Sequence, residues 1–72
     1  MRRYSVILTP EEDGYVVTVP ALPGCVTEGD SLEEALDNAR DAVGLYIESL
    51  VARGIAVPEE TVAPRVEAVD VA

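Results

Sequence analysis

The sequence predicts an α+β fold in which a β-β-β-α-β chain forms one sheet with one long helix packed on one face. Residues 4–9 alternate apolar and polar side chains, and residues 15–20 are rich in β-branched types, as strands require. Residues 31–53 form an amphipathic segment with capping residues at both ends, which is typical of a helix. With 72 residues, the chain is expected to be one domain spanning 1–72.

Three strands are predicted before the helix, separated by turn-forming residues. The first runs from Tyr4 to Thr9 and the second from Tyr15 to Pro20, with residues 10–14 as a hairpin loop. Pro20 ends the second strand because it has no N–H for the ladder. Residues 22–24 then predict a turn, and residues 25–28 a short third strand.

The helix is the clearest predicted element. Ser31 and Glu34 fit the S-x-x-E capping box, and Gly54 fits the position just after the helix end. The face expected to cover the sheet consists of Leu32, Leu36, Ala39, Val43, Tyr46, Ile47 and Leu50.

Leu45 lies outside that face, near Ser49 and Ala52. Two interpretations are open: an ordinary exposed leucine, or a small-residue seam where a second subunit contacts Leu45, Ser49 and Ala52.

Residues 65–71 alternate weakly and predict a last edge strand, which a right-handed crossover would place parallel to the first. The sheet face away from the helix carries either Ile7, Val16 and Val26 or the residues that alternate with them, and it has no helix of its own. An uncovered face and free sheet edges favour a homo-oligomer.

The formal net charge is −9, with no lysine in the sequence. Nucleic-acid binding by this chain alone is therefore not expected, because phosphate contacts need clustered cations. Two interpretations of the acidity are open: attraction of a basic partner, or simple solubility.

The sequence contains no recognisable set of catalytic residues. There is no histidine, and Cys25 has no cation beside it to lower its pKa, so we expect a structural cysteine, no cofactor and no enzyme activity. The run Glu11-Glu12-Asp13 lacks the spacing of a calcium loop and is interpreted as a solvated hairpin tip. No signal peptide or membrane segment is recognised, so a cytoplasmic location is expected.

The order of several short motifs resembles the HicB family of antitoxins. The matching residues are Gly14-Tyr15-Val16-Val17, Pro20-Ala21-Leu22-Pro23-Gly24-Cys25, Gly29-Asp30-Ser31-Leu32-Glu33-Glu34-Ala35, Arg53-Gly54 and Val57-Pro58. The resemblance covers about residues 4–70. It implies a partial ribonuclease H-like fold without nuclease activity, and binding of a small basic ribonuclease toxin of the HicA type.

The resemblance does not identify the toxin contacts, so candidates come from the acids at turns: Glu11, Glu12, Asp13, Glu28 and Asp30. Many family members carry a C-terminal DNA-binding domain, whereas this chain ends at Ala72, so operator binding by this chain alone is not expected. The alternative is an orphan homo-oligomeric domain with a structural or ligand-binding role and no toxin.

Overall fold

A computed structural model describes residues 2–72 as a three-stranded antiparallel sheet with one long helix. The strands are β1 (Ile7–Glu11), β2 (Gly14–Thr18) and β3 (Val26–Gly29), in the order β1-β2-β3. The helix is α1 (Leu32–Ala52). The predicted α+β class is confirmed in this form.

The strand boundaries differ from the prediction because pairing register, not local alternation, sets them. β1 begins at Ile7 instead of Tyr4 and continues to Glu11, which pairs with Gly14. The hairpin loop is therefore Glu12–Asp13 alone, shorter than the predicted loop 10–14. Gly14 has a φ of +151°, a backbone angle that residues with a side chain rarely adopt.

The predicted helix limits are confirmed by local hydrogen bonds at both ends. The Ser31 hydroxyl accepts from the Glu34 N–H at 3.1 Å, and the Glu34 carboxylate accepts from the Asp30 N–H at 3.0 Å. At the other end, Gly54 has a φ of +68°, and the Ile55 N–H donates to the Leu50 carbonyl. These bonds stop α1 in a Schellman motif.

The core divides into two clusters beneath α1. One consists of Val17, Ala35 and Ala39, and the other of Val19, Leu22 and Cys25. Two helix residues differ from the expected apolar face. Leu32 is 53% exposed, whereas Ala35 is fully buried because it lies directly against the backbone of Gly29.

The predicted fourth strand is absent from residues 2–72 of the structure. Residues 65–71 are exposed, have no regular secondary structure and pair with no strand within the described residues. Their valines favour a strand locally, but a strand also needs a partner for its backbone groups. The β-β-β-α-β order is therefore corrected to β-β-β-α.

The segment after α1 returns to the start of β1 and is anchored there by Glu60. The Ser5 N–H donates to Glu60 Oε1 at 2.8 Å, and the Ser5 hydroxyl donates to Glu60 Oε2 at 2.7 Å. The Tyr4 hydroxyl donates to the Pro58 carbonyl at 2.5 Å. The two hydrogen bonds from Ser5, the hydroxyl first, lower the pKa of the Glu60 carboxyl below 4.5.

We expect this anchor to hold at neutral pH and to be lost in acid. A carboxyl group whose pKa is lower in the folded state than in the unfolded state stabilises the folded protein. This contribution is fully present above the unfolded-state pKa near 4.5, and it is lost as the pH falls through the folded-state pKa. An NMR titration of the Ser5 amide should show a midpoint below 4.5 in the parent protein. Glu60→Gln should abolish that titration, whereas Glu59→Gln should keep it; an unchanged midpoint in Glu60→Gln would contradict the assignment.

Candidate protein-binding surface

The five acids predicted to contact a partner come together at one end of the sheet. β2 connects the two turns that carry them, since Glu11 pairs with Gly14 at one turn and Tyr15 pairs with Gly29 at the other. The result is an open groove of about 360 Å³. We call its acids the acidic end: Glu11, Glu12, Asp13, Glu28 and Asp30.

Glycines bring the two turns into contact. A Cβ on Gly14 would lie 2.2 Å from the carbonyl oxygen of Gly29, so no larger residue fits there without movement. The Asn38 side chain donates to the Glu28 carbonyl at 2.7 Å, which ties β3 to α1. The backbone that carries the acids is therefore fixed, while their carboxylates extend into solvent.

The charges of the acidic end are not compensated within the described chain. Over residues 2–72, the ion pairs are Arg40 with Asp37 at 2.9 Å and Arg65 with Glu67 at 2.6 Å. Neither involves the acidic end. Across the same residues, no group of three or more potential ligands is arranged to hold a metal ion. The concentrated negative charge is available to attract a basic surface.

The acidic end continues into the sheet face that α1 leaves uncovered. Cross-strand pairing places Ile7, Thr18 and Val26 in one row, and Thr9, Val16 and Glu28 in the next. Ile7 is 37% exposed and Val26 is 57% exposed, which confirms the predicted open face. We use the name open face for the surface formed by Ile7, Val16 and Val26 with their row neighbours. Glu28 belongs to both surfaces.

Sequence reasoning identified the acids and the apolar residues but did not place them side by side. The missing information was the register that sets Val16 opposite Glu28. A one-residue slip would have moved the whole set to the other face. No local signal supplies that register, because it depends on pairing between strands.

Cys25 and Tyr46 both serve the packing of the fold. Cys25 is buried with Val19 and Leu22, and burial raises the pKa of its thiol, which disfavours the reactive thiolate. The Tyr46 hydroxyl donates to the Pro23 carbonyl at 2.7 Å and holds the turn before Cys25 against the helix.

The helix residues considered as an oligomer seam are all exposed. Leu45 is 67% exposed, and Ser49 and Ala52 are also exposed. A contact to a second subunit through these residues stays a prediction. Over residues 2–72, α1 is too polar to cross a bilayer, and the structure offers no other helix long enough.

Comparison with known proteins places the chain among related sequences. A family model described as the HicB-like antitoxin of bacterial toxin–antitoxin systems matches residues 4–70. A UPF0150 protein of Thermoplasma acidophilum is 51% identical over 59 residues, covering 81% of this chain and 86% of that protein. A UPF0150 protein of Synechocystis is 48% identical over 58 residues, which cover 79% of this chain and 73% of that protein.

One similar protein has a functional name. Antitoxin HicB 1 of Photorhabdus laumondii is 52% identical over 42 residues, which are 57% of this chain and 27% of that protein. The shared part is therefore a small portion of the longer antitoxin. Since the family model covers nearly the whole of this chain, the chain belongs to the HicB-like antitoxin family.

Proposed function

We propose that this protein is a non-enzymatic antitoxin that binds and neutralises a small basic ribonuclease toxin of the HicA type. Family membership supports a toxin–antitoxin role. The observation that carries the proposal is the acidic end, whose five acids are outside every ion pair of residues 2–72 and border the open face. The three-strand meander followed by a helix is also how a ribonuclease H-like sheet begins, and we propose that relationship for the fold.

Neutralisation follows from competition for one basic surface. A ribonuclease of this kind attracts RNA phosphates through its cations, and the carboxylates of the acidic end present the same charge at a fixed spacing. The apolar rows through Ile7, Val16 and Val26 then bury surface on the toxin and exclude water. Charge steers the encounter, and apolar burial holds the complex together.

The proposed antitoxin has no chemistry of its own. Its one thiol, Cys25, is buried and disfavoured as a thiolate, and the sequence has no histidine to act as a general base. The exposed apolar side chains of Ile7 and Val26 also support a second candidate, a homo-oligomeric domain that acts without a toxin. Toxin neutralisation and self-association are separable by experiment.

The test takes any small basic protein that is found encoded immediately beside this gene, purifies it and assays it on a defined RNA. We expect the parent chain to suppress RNA cleavage at stoichiometric amounts. The triple variant Glu11→Lys/Glu12→Lys/Asp13→Lys should weaken binding by about tenfold or more, which is about 1.4 kcal/mol. The loss should be larger at low salt, because the attraction is electrostatic.

A matched control makes the same change of charge elsewhere. Asp41 and Glu48 are exposed on α1 beyond its first two turns, and Glu59 is exposed in the segment after the helix; their replacement by lysine should leave inhibition close to that of the parent. An equal loss in both triple variants would reject the acidic end as the binding site. Failure of the parent chain to inhibit any such neighbour, together with a stable homo-oligomer, would favour the toxin-free domain.

A further inference from the structure

The C-terminal residues of the chain are exposed and isolated from its core. Val66, Val69 and Val71 are 92%, 83% and 88% exposed, and over residues 2–72 no hydrogen bond joins residues 65–72 to the sheet or the helix. The radius of gyration is 13.9 Å, whereas a compact chain of this length has about 11 Å. An apolar, β-branched segment in this state has the properties of a strand without a partner.

A matching acceptor lies on the helix side of the sheet. An apolar groove of about 360 Å³ opens between Tyr4 and Val6 on one side and Leu36, Val43 and Gly44 of α1 on the other, with Arg40 also in its lining. We call it the β1 groove. β1 is an edge strand, and within residues 2–72 its outer N–H and C=O groups have no strand partner. Pro10 has no N–H, so a new strand would pair with the part of this edge that precedes it. A strand added there would direct alternate side chains into the β1 groove.

The chain's own C-terminal segment is directed elsewhere. Residues 59–62 and Pro64 line a shallow groove with Pro20 and Ala21, which follow β2, and Ser5 fixes Glu60 through two hydrogen bonds. The segment therefore leaves the molecule past the end of β2, not along the free edge of β1. Pro64 contributes no N–H at the point where a strand would have to begin.

We propose that residues 65–71 of one chain add to the free edge of β1 in a second copy of this chain, and that the second copy reciprocates. The exchange forms a closed two-fold dimer in which the same groove and the same segment are used twice. Each donated segment supplies the fourth strand that its own chain lacks. The inference concerns self-association and does not depend on the proposed toxin.

Periodicity determines which side of the donated strand faces inward. Val69 and Val71 share one face with Arg65 and Glu67, since side chains two residues apart point the same way. We assign Val69 and Val71 to the β1 groove, while the ion pair of Arg65 with Glu67 at 2.6 Å stays toward the start of the strand. Because each chain carries a net charge of −9, the dimer should tighten when salt screens the repulsion between subunits.

Gly44 offers a way to close the β1 groove without disturbing the fold. A Cβ at Gly44 meets nothing within 4 Å, so a larger side chain can extend into the groove from the helix. Gly44→Leu should fill the acceptor, whereas Gly44→Ala adds one methyl group and leaves most of the groove open. On the donor side, Val69→Asp/Val71→Asp places two charges where the groove is apolar.

Sedimentation equilibrium of the full chain tests the exchange. We expect the parent and Gly44→Ala to be dimers, and Gly44→Leu and Val69→Asp/Val71→Asp each to raise the dimer Kd at least tenfold, with unchanged helical circular dichroism. A mixture of the two impaired variants should recover mixed dimers, because one intact groove and one intact segment remain between them. A parent chain that stays monomeric at 100 μM, or a dimer insensitive to both variants, would overturn the proposal.

Discussion

Replacement of Gly29 by alanine should remove most of the protein's stability. Gly29 ends β3 where the first turn of α1 crosses it, and an added Cβ would lie 2.4 Å from the Ala35 nitrogen and 2.6 Å from the Ala35 Cα. Both are backbone atoms of a buried residue and cannot rotate away, so strand and helix would have to separate. We expect a loss of about 3 kcal/mol, against a total stability of about 3–5 kcal/mol for a domain of this size.

Gly44→Ala is the matched control for this change. It is the same substitution in the same protein, but at a helical position with open space around the new methyl group. It should stabilise the protein by about 0.5–1 kcal/mol, because glycine is a poor helix former. Urea denaturation followed by circular dichroism, at one fixed protein concentration, measures both. A Gly29→Ala protein within 0.5 kcal/mol of the parent would contradict the close approach.

Replacement of Leu22 by alanine should destabilise the protein by about 2–5 kcal/mol, the range for a buried leucine. Leu22 lies in the connection between β2 and β3, yet it is 0% exposed. Its N–H donates to the Val19 carbonyl, and its carbonyl accepts from the Cys25 N–H, so the loop cannot collapse into the space that the side chain leaves. Leu22 belongs to the cluster against which Ala42, Val43 and Tyr46 of α1 pack, so the substitution would weaken the contact between this loop and the helix.

Leu45→Ala provides the comparison for Leu22. It removes the same atoms from a side chain that is 67% exposed, so the free energy of unfolding should change by less than about 0.5 kcal/mol. Thermal unfolding at several protein concentrations separates this effect from self-association. A large, concentration-dependent loss at Leu45 would instead indicate the helix seam with Ser49 and Ala52 as a subunit contact.

The two proposed interactions use different surfaces of the molecule. The acidic end and the open face lie at the hairpin tip and on the sheet face away from α1. The β1 groove lies between α1 and the segment before β1. A strand-exchanged dimer would therefore leave both acidic ends free, so dimerisation and toxin binding can occur together. Two linked sites would also increase the avidity for a toxin that self-associates.

The parts of the fold that depend on local contacts could be predicted from the sequence. Ser31 and Gly54 marked the ends of α1 correctly, because the hydrogen bonds that stop a helix span only a few residues. The turn at Pro23 and Gly24 follows from the same kind of local chemistry. The five candidate acids were likewise identified from their positions in turns.

What the tertiary structure decided is where these pieces meet. Only the pairing of Val16 with Glu28 joined the open face to the acidic end, and only the approach of Gly29 to Ala35 made that alanine, not Leu32, a core residue. Residues 65–71 show the limit most clearly. Their sequence predicts a strand, but a strand needs a second backbone for its hydrogen bonds, and no local preference determines whether the same chain supplies it.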